Sequence, residues 1–291
     1  MDDKIFDDEY SAYLNAFLNY AEQVFSSVKT NSKLAEAMKY SFFAGGKRIR
    51  PVLMLACAKR LNGNYEKVLP FAFSLEAMHT YSLVHDDLPA LDNDVLRRGK
   101  PTCHIKYGEA TAILAGDGLL NLAFEHVFSV ISSEREIKAV RALAEYSGYR
   151  GMLAGQGEDI EHENSSDYSD VTLNEIYSLK TGKFLTLPFL IPSLLYAPDL
   201  SRQAIVFGEK FGRFFQFVDD LSDVVLSSKE IGKSAGKDEK AGKLTAVKVY
   251  GLNGAKLCLA GLSHELQETS EPLINSAFFQ CFIKRITKGL L

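Results

Sequence analysis

The sequence lacks the features that mark several classes of protein. Its four cysteines, Cys57, Cys103, Cys258 and Cys281, form no CxxC pair, which argues against a structural zinc site or a disulfide scaffold and favours a reducing cytoplasm. The net charge of −4 at pH 7 gives no basic character, so we expect no nucleic acid partner. The longest uncharged stretch, residues 184–198, is shorter than the roughly 20 apolar residues that span a bilayer, so we expect no stable membrane insertion.

Patterns of β-structure, repeats and linkers are also scarce. Alternating apolar and polar runs with hairpin turns are hard to find, and no internal repeat or Pro/Gly/Ser-rich linker divides the chain. Apolar residues instead recur at helical spacing, as at Leu34, Met38 and Phe42. We therefore predict an all-α, single-domain protein over residues 1–291, in which residues 184–198 form a buried helix broken by prolines. The acidic N-terminus has no apolar h-region, so we expect no signal peptide.

Two clusters of aspartates follow segments predicted to be helical. The candidate metal ligands are Asp86, Asp87 and Asp92 in the first cluster and Asp219, Asp220 and Asp223 in the second. Carboxylates so close together repel each other, and the usual reason to keep them is a hard cation such as Mg²⁺, which shares its other sites with waters and substrate phosphates. Asp219 and Asp223 share one helical face, whereas Asp86 reaches Asp92 only if the helix unwinds near Pro89. Either cluster alone is typical of an acidic turn, but the pair indicates a cavity that grips a diphosphate through several Mg²⁺ ions.

Positive charges flank the first cluster. Residues 45–51 (GGKRIRP) carry three of them, and residues 97–101 (RRGKP) follow the aspartates at once. The planar fork of arginine suits bidentate contacts to phosphate, and lysine supplies a point charge. Exposed cations that pair with nearby acids are the alternative interpretation, which Asp94 makes reasonable for one arginine of the set.

Two polar segments are predicted to be loops. Residues 157–172 are acidic and polar. Residues 227–243 alternate glycines with Lys229, Lys233, Lys237, Lys240 and Lys243. Such a composition is typical of a mobile, solvated surface segment. Because it begins shortly after the second acidic cluster, we interpret it as a candidate lid that closes over a bound anion.

Six motifs, in their order along the chain, resemble those of the trans-isoprenyl diphosphate synthases, and within that family the bacterial-type farnesyl diphosphate synthases. They are GGKRIRP at 45–51, HTYSLVHDD at 79–87, RRGKPT at 97–102, LAGD at 114–117, KTG at 180–182 and QFVDD at 216–220. The resemblance implies an isoprenoid synthase type I fold, in which about ten or more helices surround a deep central cavity. It also implies three Mg²⁺ ions per active site and a homodimer.

The resemblance further implies a role for individual residues. Asp86, Asp92 and Asp219 would be the metal ligands that act in catalysis, with Asp87, Asp220 and Asp223 beside them, and Lys180 would be a catalytic cation. The contacts to isopentenyl diphosphate would come from Lys47, Arg50, His79 and Arg98. The contacts to the allylic diphosphate would come from Arg97, Lys180, Thr181, Gln216, Lys233 and Lys243. The family reaction ionises the allylic diphosphate, adds isopentenyl diphosphate to the carbocation and releases a proton, which requires that water be excluded.

Two residues of the motif at 79–87 bear on product length. Tyr81 and Ser82 lie five and four positions before the first aspartate, where this family gates the length of the prenyl chain. A bulky aromatic at the first position resembles farnesyl-producing enzymes, in which it closes the cavity at fifteen carbons. If Tyr81 is instead an ordinary packed aromatic, the alternative is a geranylgeranyl diphosphate synthase.

Three other interpretations explain less of the sequence. The His85-Asp86 pair is typical of all-α metal phosphohydrolases, but the other histidines lack the matching spacing. A class I terpene cyclase would leave the cations assigned to isopentenyl diphosphate unexplained, and its own second motif is missing. A non-catalytic partner subunit typically loses one acidic motif, whereas this chain keeps both.

Overall fold

The computed structural model describes residues 3–28, 32–163, 169–225 and 243–291. Within these ranges the chain is almost entirely helical, which confirms the predicted all-α class. The helices are α1 (Asp3–Ser27), α2 (Lys33–Phe42), α3 (Ile49–Arg60), α4 (Leu69–Asp86), α5 (Cys103–Tyr107), α6 (Glu109–Ser129), α7 (Glu134–Ser147), α8 (Met152–Glu161), α9 (Asp170–Tyr177), α10 (Lys183–Tyr196), α11 (Ser201–Val225), α12 (Ala246–Thr269) and α13 (Ser276–Ile286).

Short elements connect some of these helices. The strands β1 (Leu96–Arg97) and β2 (Lys100–Pro101) pair antiparallel, with Leu96 opposite Pro101. Single turns of 3₁₀-helix occupy Tyr65–Val68 and Pro198–Leu200, and a π-helical turn occupies Ser178–Gly182 between α9 and α10. Helix α12 is broken at Gly251, whose φ of 68° lies in the left-handed region.

The helix starts follow from local sequence. The side chains of Ser32, Ser133, Ser169 and Asn275 precede α2, α7, α9 and α13 and accept hydrogen bonds from backbone N–H groups in the first turn. A capping side chain of this kind contributes about 1 kcal/mol to helix stability. Short polar residues thus fix where these helices begin.

The core lies where α4 packs on α6 and α10 packs on α11. One cluster of buried apolar side chains extends from Phe6 to Leu290. Phenylalanine dominates it, and Phe189, for example, meets Phe207 edge-on with ring centroids 4.9 Å apart. Burying one such side chain contributes roughly 1.5–3 kcal/mol. The core therefore holds α4 and α11, the two helices that carry the acidic clusters.

Helix α10 corrects one expectation. It is buried along most of its length, as predicted, but it runs unbroken through Pro188 and Pro192. An internal proline costs a helix about 3 kcal/mol because it removes a backbone hydrogen bond. Packing of α10 against α3, α7 and α11 holds the helix together despite this cost. None of the helices in the described ranges is both long and apolar enough to cross a membrane.

The two predicted loops have different outcomes. The prediction for residues 157–172 was wrong at both ends, because α8 continues to Glu161 and α9 begins at Asp170. The acidic and polar composition of this segment suggested a loop, but Gly155 and Asp159 contact the π-helical turn, and this packing supports α8 to its end. In the candidate lid, Lys229, Lys233, Lys237 and Lys240 lie outside the described residues, and Lys243 lies within them.

Candidate active site

The first acidic cluster forms a compact turn at the end of α4. The helix ends at Asp86, three residues before Pro89. The chain then folds back, so that the backbone N–H of Asp92 donates to the Asp86 carbonyl over 2.8 Å and that of Asp94 donates to the Asp87 carbonyl over 3.1 Å. Asn93, at φ 50°, takes the left-handed conformation that such a tight turn requires. The turn therefore places Asp92 beside Asp86.

The charges of Asp86 and Asp92 are balanced by two lysines. Burial raises the pKa of Asp86 to about 6, and the neighbouring carboxylate of Asp92 adds to the rise. The charge of Lys180 lowers the pKa but does not cancel these effects. Burial also disfavours the charged form of Asp92, but the ammonium of Lys243, 2.9 Å from Oδ1, holds the pKa of Asp92 below its usual value. The structure thus brings Lys180 and Lys243, which are far apart in sequence, to the same pair of carboxylates.

Asp87 faces Arg97 rather than the other two acids. Arg97 Nη2 lies 2.6 Å from Oδ1 of Asp87, which is 3% exposed, and 3.5 Å from Oδ2 of Asp94. Burial alone would lower the pKa of Arg97, but the Asp87 carboxylate opposes this effect. The net result is a raised pKa of Arg97, so the guanidinium stays charged. Pairing with nearby acids, which the sequence suggested for one arginine, therefore describes Arg97.

Arg98 lies at the tip of the hairpin formed by β1 and β2. Arg98 and Gly99 have φ values of 54° and 74°, as the two central residues of such a short hairpin turn require. The Arg98 guanidinium turns back and donates a hydrogen bond to the carbonyl of Gly45. Burial lowers the pKa of Arg98 to about 10, and Arg48 adds to this effect. The hairpin therefore delivers Arg98 to the loop between α2 and α3.

Arg98, Arg50 and His79 share one region of positive potential. Burial, together with the charges of Arg50 and Arg98, holds the pKa of His79 well below its usual value, so the imidazole is neutral near pH 7. Arg50 lies over the ring of Phe184, and burial lowers its pKa. Lys47 is exposed in the same loop. Cations crowded in this way repel each other, and a bound anion would relieve that repulsion.

The π-helical turn Ser178–Gly182 presents Lys180 and Thr181. Such turns are frequent at functional sites, because one extra residue redirects the neighbouring side chains. Close glycine contacts hold the turn: a Cβ on Gly155 would lie 2.0 Å from the Lys180 nitrogen, and a Cβ on Gly212 would lie 2.3 Å from the Gly182 Cα. Thr181 donates to Oε1 of Gln216 on α11 over 2.6 Å. The predicted residues Lys180, Thr181 and Gln216 are therefore neighbours.

Helix α8 supplies two residues that the sequence analysis missed. Asp159, which is 6% exposed, lies 2.5 Å from Nζ of Lys180. Gln156, one turn earlier on α8, donates to Oδ1 of Asp86 over 3.1 Å. The two residues are three positions apart, which places them on one face of a helix. This spacing was the sequence signal that could have identified them.

The aspartates of the second acidic cluster lie in two different environments. Asp219 is exposed on α11, and its charge partly offsets the lowering of the Arg50 pKa by burial. Asp220 is buried and accepts hydrogen bonds from the hydroxyl of Tyr177 and, over 2.6 Å, from the backbone N–H of Ala246. It thus secures the start of α12. Asp223 is also buried, at 3% exposure.

Tyr81 and Ser82 lie one turn before Asp86 on α4. Tyr81 is 3% exposed, and its hydroxyl has no hydrogen-bond partner among the described residues. Burial raises the pKa of Tyr81 to about 12, with a contribution from Asp86. The Ser82 hydroxyl donates to the His79 carbonyl over 2.9 Å. Tyr81 is therefore enclosed close to the first acidic cluster.

The donor set of the first cluster suits Mg²⁺. Desolvation raises the pKa of the Asp86 carboxyl, which a bound cation would offset, and the Lys243 ammonium beside Asp92 lies where a cation is favoured. Across the described ranges, no three His, Cys, Asp or Glu side chains are gathered into a chelating group. Proteins usually hold Mg²⁺ through one or two carboxylates plus substrate phosphates and waters. Asp86, Asp92 and Asp219 would hold the metal together with a diphosphate.

The fold and this site together define a class: an all-α isoprenoid synthase fold in which cations surround an acidic turn. Residues 31–271 match the polyprenyl synthetase family. The chain belongs to this family, which confirms the resemblance inferred from the motifs.

Individual relatives differ in the product that their names state. The chain is 43% identical over 246 residues to the chloroplastic heterodimeric geranylgeranyl pyrophosphate synthase large subunit 1 of Arabidopsis thaliana, covering 81% of this chain and 66% of that one. It is 40% identical over 253 residues to the farnesyl diphosphate synthase of Haemophilus influenzae, covering 84% and 83%. The chain thus spans about two thirds of the length of the plant relative.

A solved structure shares the fold. The geranyltransferase of Helicobacter pylori, complexed with magnesium and isoprenyl diphosphate, superposes with a TM-score of 0.81 at 28% identity, covering 97% of each chain. That protein binds magnesium together with a prenyl diphosphate.

Proposed function

We propose that this protein is a Mg²⁺-dependent prenyltransferase that condenses isopentenyl diphosphate with dimethylallyl or geranyl diphosphate to give farnesyl diphosphate. The observation that carries the proposal is the pair of cationic regions beside the acidic turn. Lys180 and Lys243 approach Asp86 and Asp92, whereas Arg98 belongs to the separate group around His79. Two cationic regions suit a reaction that brings together two diphosphates.

The allylic diphosphate would occupy the region of Lys180, Arg97 and Lys243. When its carbon–oxygen bond breaks, negative charge grows on the departing pyrophosphate. Fixed cations stabilise this growing charge more than the ground state, which lowers the barrier. Bound Mg²⁺, held by carboxylates that include Asp86 and Asp92, supplies further neutralisation of the same charge. The family analogy suggests three such ions.

Isopentenyl diphosphate would bind at Lys47, Arg50, Arg98 and His79. The neutral imidazole of His79 donates an N–H to a phosphate oxygen without adding to the crowded positive charge. The C=C bond of this substrate attacks the allylic cation, and the new cation then loses a proton. We assign the proton to the released pyrophosphate and name no side-chain base.

The length of the product depends on the residue that ends the prenyl cavity. We propose Tyr81 as that residue, because it is bulky, buried and one turn from Asp86. Geranylgeranyl diphosphate is the second candidate product, since the Arabidopsis relative is named for that activity at 43% identity. The two candidates share every other residue of the site.

We also propose that residues 1–291 act as one unit that pairs into a homodimer. Support for one unit comes from the single core cluster between Phe6 and Leu290. Support for a dimer comes from α6, where Leu114 and Phe128 lie two heptads apart on one face and are 54% and 60% exposed. Size measurement by light scattering would give twice the chain mass, and a monomer would contradict the pairing. A cytoplasmic location stays a prediction from the sequence.

Incorporation of labelled isopentenyl diphosphate tests the proposed function. With dimethylallyl diphosphate and Mg²⁺ present, the protein should convert it to an acid-labile allylic product, and chelation of the metal should abolish turnover. Asp86→Asn and Asp92→Asn should each lower the rate at least a hundredfold. Asp199→Asn, at an exposed site, is the matched control and should leave the rate unchanged. A folded wild-type protein without incorporation would refute the proposal.

A further inference from the structure

A buried ion pair lies beneath the loop that precedes α3. Arg48 Nη1 and Glu76 Oε1 are 2.6 Å apart, and the two residues are only 4% and 2% exposed. Removing two charges from water costs several kcal/mol each, so a buried pair often stabilises a protein no more than apolar residues of equal size. The retention of this pair therefore needs a reason other than stability.

Arg48 fixes an unusual backbone conformation. It has a φ of 50°, and the preceding Gly45 and Gly46 both have a φ of 108°. A side chain with a Cβ is disfavoured in the left-handed region. The second Arg48 nitrogen donates to the carbonyl of Phe42, so one side chain ties the loop both to the end of α2 and to α4.

Two further contacts clamp the same loop. Tyr10 on α1 donates to the Lys47 carbonyl over 2.5 Å. The Arg98 guanidinium packs on Gly46, where an added Cβ would lie 2.5 Å from its central carbon. The segment that carries Lys47 and Arg50 is thus held from α1, α4 and the hairpin at once.

Glu76 also acts on the neighbouring arginines. Its charge opposes the lowering of the Arg50 and Arg98 pKa values that burial causes. Within the part of the chain that the structure describes, Glu76 Oε2 and Arg50 Nε are both buried without a hydrogen-bond partner. One carboxylate among the guanidiniums of Arg48, Arg50 and Arg98 leaves a net positive charge for a diphosphate to neutralise.

We propose that Arg48 and Glu76 are positioning residues for the diphosphate of the isopentenyl substrate. Arg48 holds the loop that presents Lys47 and Arg50, and Glu76 anchors the Arg48 side chain to α4. Because both are buried, neither touches the substrate. This inference rests on the proposed function. It gives a positioning role to two residues that do not contact the substrate.

The double variant Arg48→Met/Glu76→Leu tests the inference. Removing both charges together avoids an uncompensated buried charge, so the fold should persist. We expect the KM for isopentenyl diphosphate to rise about tenfold, which corresponds to about 1.4 kcal/mol. The KM for the allylic diphosphate should stay within twofold of the wild-type value. A folded double variant with a wild-type KM for isopentenyl diphosphate would show that the pair is structural only, and equal rises in both KM values would also overturn the inference.

Two single variants keep the test decisive. Glu76→Asp retains the charge but withdraws the carboxylate, so it should raise only the isopentenyl diphosphate KM, and by less; no rise would contradict the inference even if the double variant fails to fold. Ser74→Ala is the matched control, because Ser74 is fully buried on α4 and donates instead to Ala123 on α6. It should change neither KM. Absence of turnover by the wild-type protein would refute the proposed function and this role with it, whereas normal turnover with unchanged variants refutes this role alone.

Discussion

Tyr81 can be tested with two substitutions that separate its ring from its hydroxyl. Replacing a buried aromatic by alanine costs about 3–5 kcal/mol. The Tyr81 hydroxyl is buried without a hydrogen-bond partner among the described residues. Removing it should therefore raise the free energy of unfolding by about 1–3 kcal/mol. Tyr81→Ala should therefore destabilise the protein by about 2 kcal/mol and lower Tm by roughly 4–8 °C. Tyr81→Phe, which keeps the ring, should stabilise it by about 1 kcal/mol.

The same two variants test the proposed end of the prenyl cavity. Loss of the buried ring should open space at the end of the prenyl cavity, so Tyr81→Ala should extend the main product from C15 to C20. Tyr81→Phe should still give C15. Products are dephosphorylated and separated by chain length, and stability is followed by thermal unfolding. An unchanged C15 product from a folded Tyr81→Ala variant would refute the proposed role of this side chain, and a loss of stability in Tyr81→Phe would refute the account of its hydroxyl.

Four further predictions concern the site and its support. Because the pKa of Asp86 is raised to about 6, the carboxyl is about nine-tenths protonated at pH 5, so the Mg²⁺ concentration for half-maximal activity should rise about tenfold from pH 7.5 to pH 5; a constant value would contradict this. Because the Asp86 carboxyl binds its proton more tightly in the folded than in the unfolded protein, the metal-free protein should lose stability as the pH rises through 6. Asp159→Asn should lower kcat, because Lys180 loses the carboxylate 2.5 Å from its Nζ, and pre-steady-state rates that match the wild type would argue against this role. Tyr177→Phe should cost about 1–2 kcal/mol in chemical unfolding, because Asp220 loses a buried hydrogen bond; a neutral effect would show that the Ala246 N–H suffices.

Much of the site could be predicted from sequence because its parts are local. The turn that returns Asp92 to Asp86 spans seven consecutive residues and directly follows the apolar helix α4. The KTG motif likewise presents Lys180 and Thr181 together. Spacing and residue type are sufficient for such features.

The remaining features depend on contacts between distant segments. Asp220 belongs to an acidic motif, yet Tyr177 and the start of α12 engage its carboxylate. Asp159 lies in a segment rich in glycine and acids, where packing on the π-helical turn, rather than propensity, completes the helix. The pairing of Arg48 with Glu76 likewise joins the loop before α3 to α4. No local pattern specifies these partners.

The most direct test of the central claim is the chain length of the wild-type product. Purified protein receives Mg²⁺, labelled isopentenyl diphosphate and either dimethylallyl or geranyl diphosphate, and the dephosphorylated products are separated by length. We expect a C15 product from both primers and no C20 product. A C20 product would contradict the farnesyl assignment and the role of Tyr81, and failure of a folded protein to condense either primer would contradict the prenyltransferase itself.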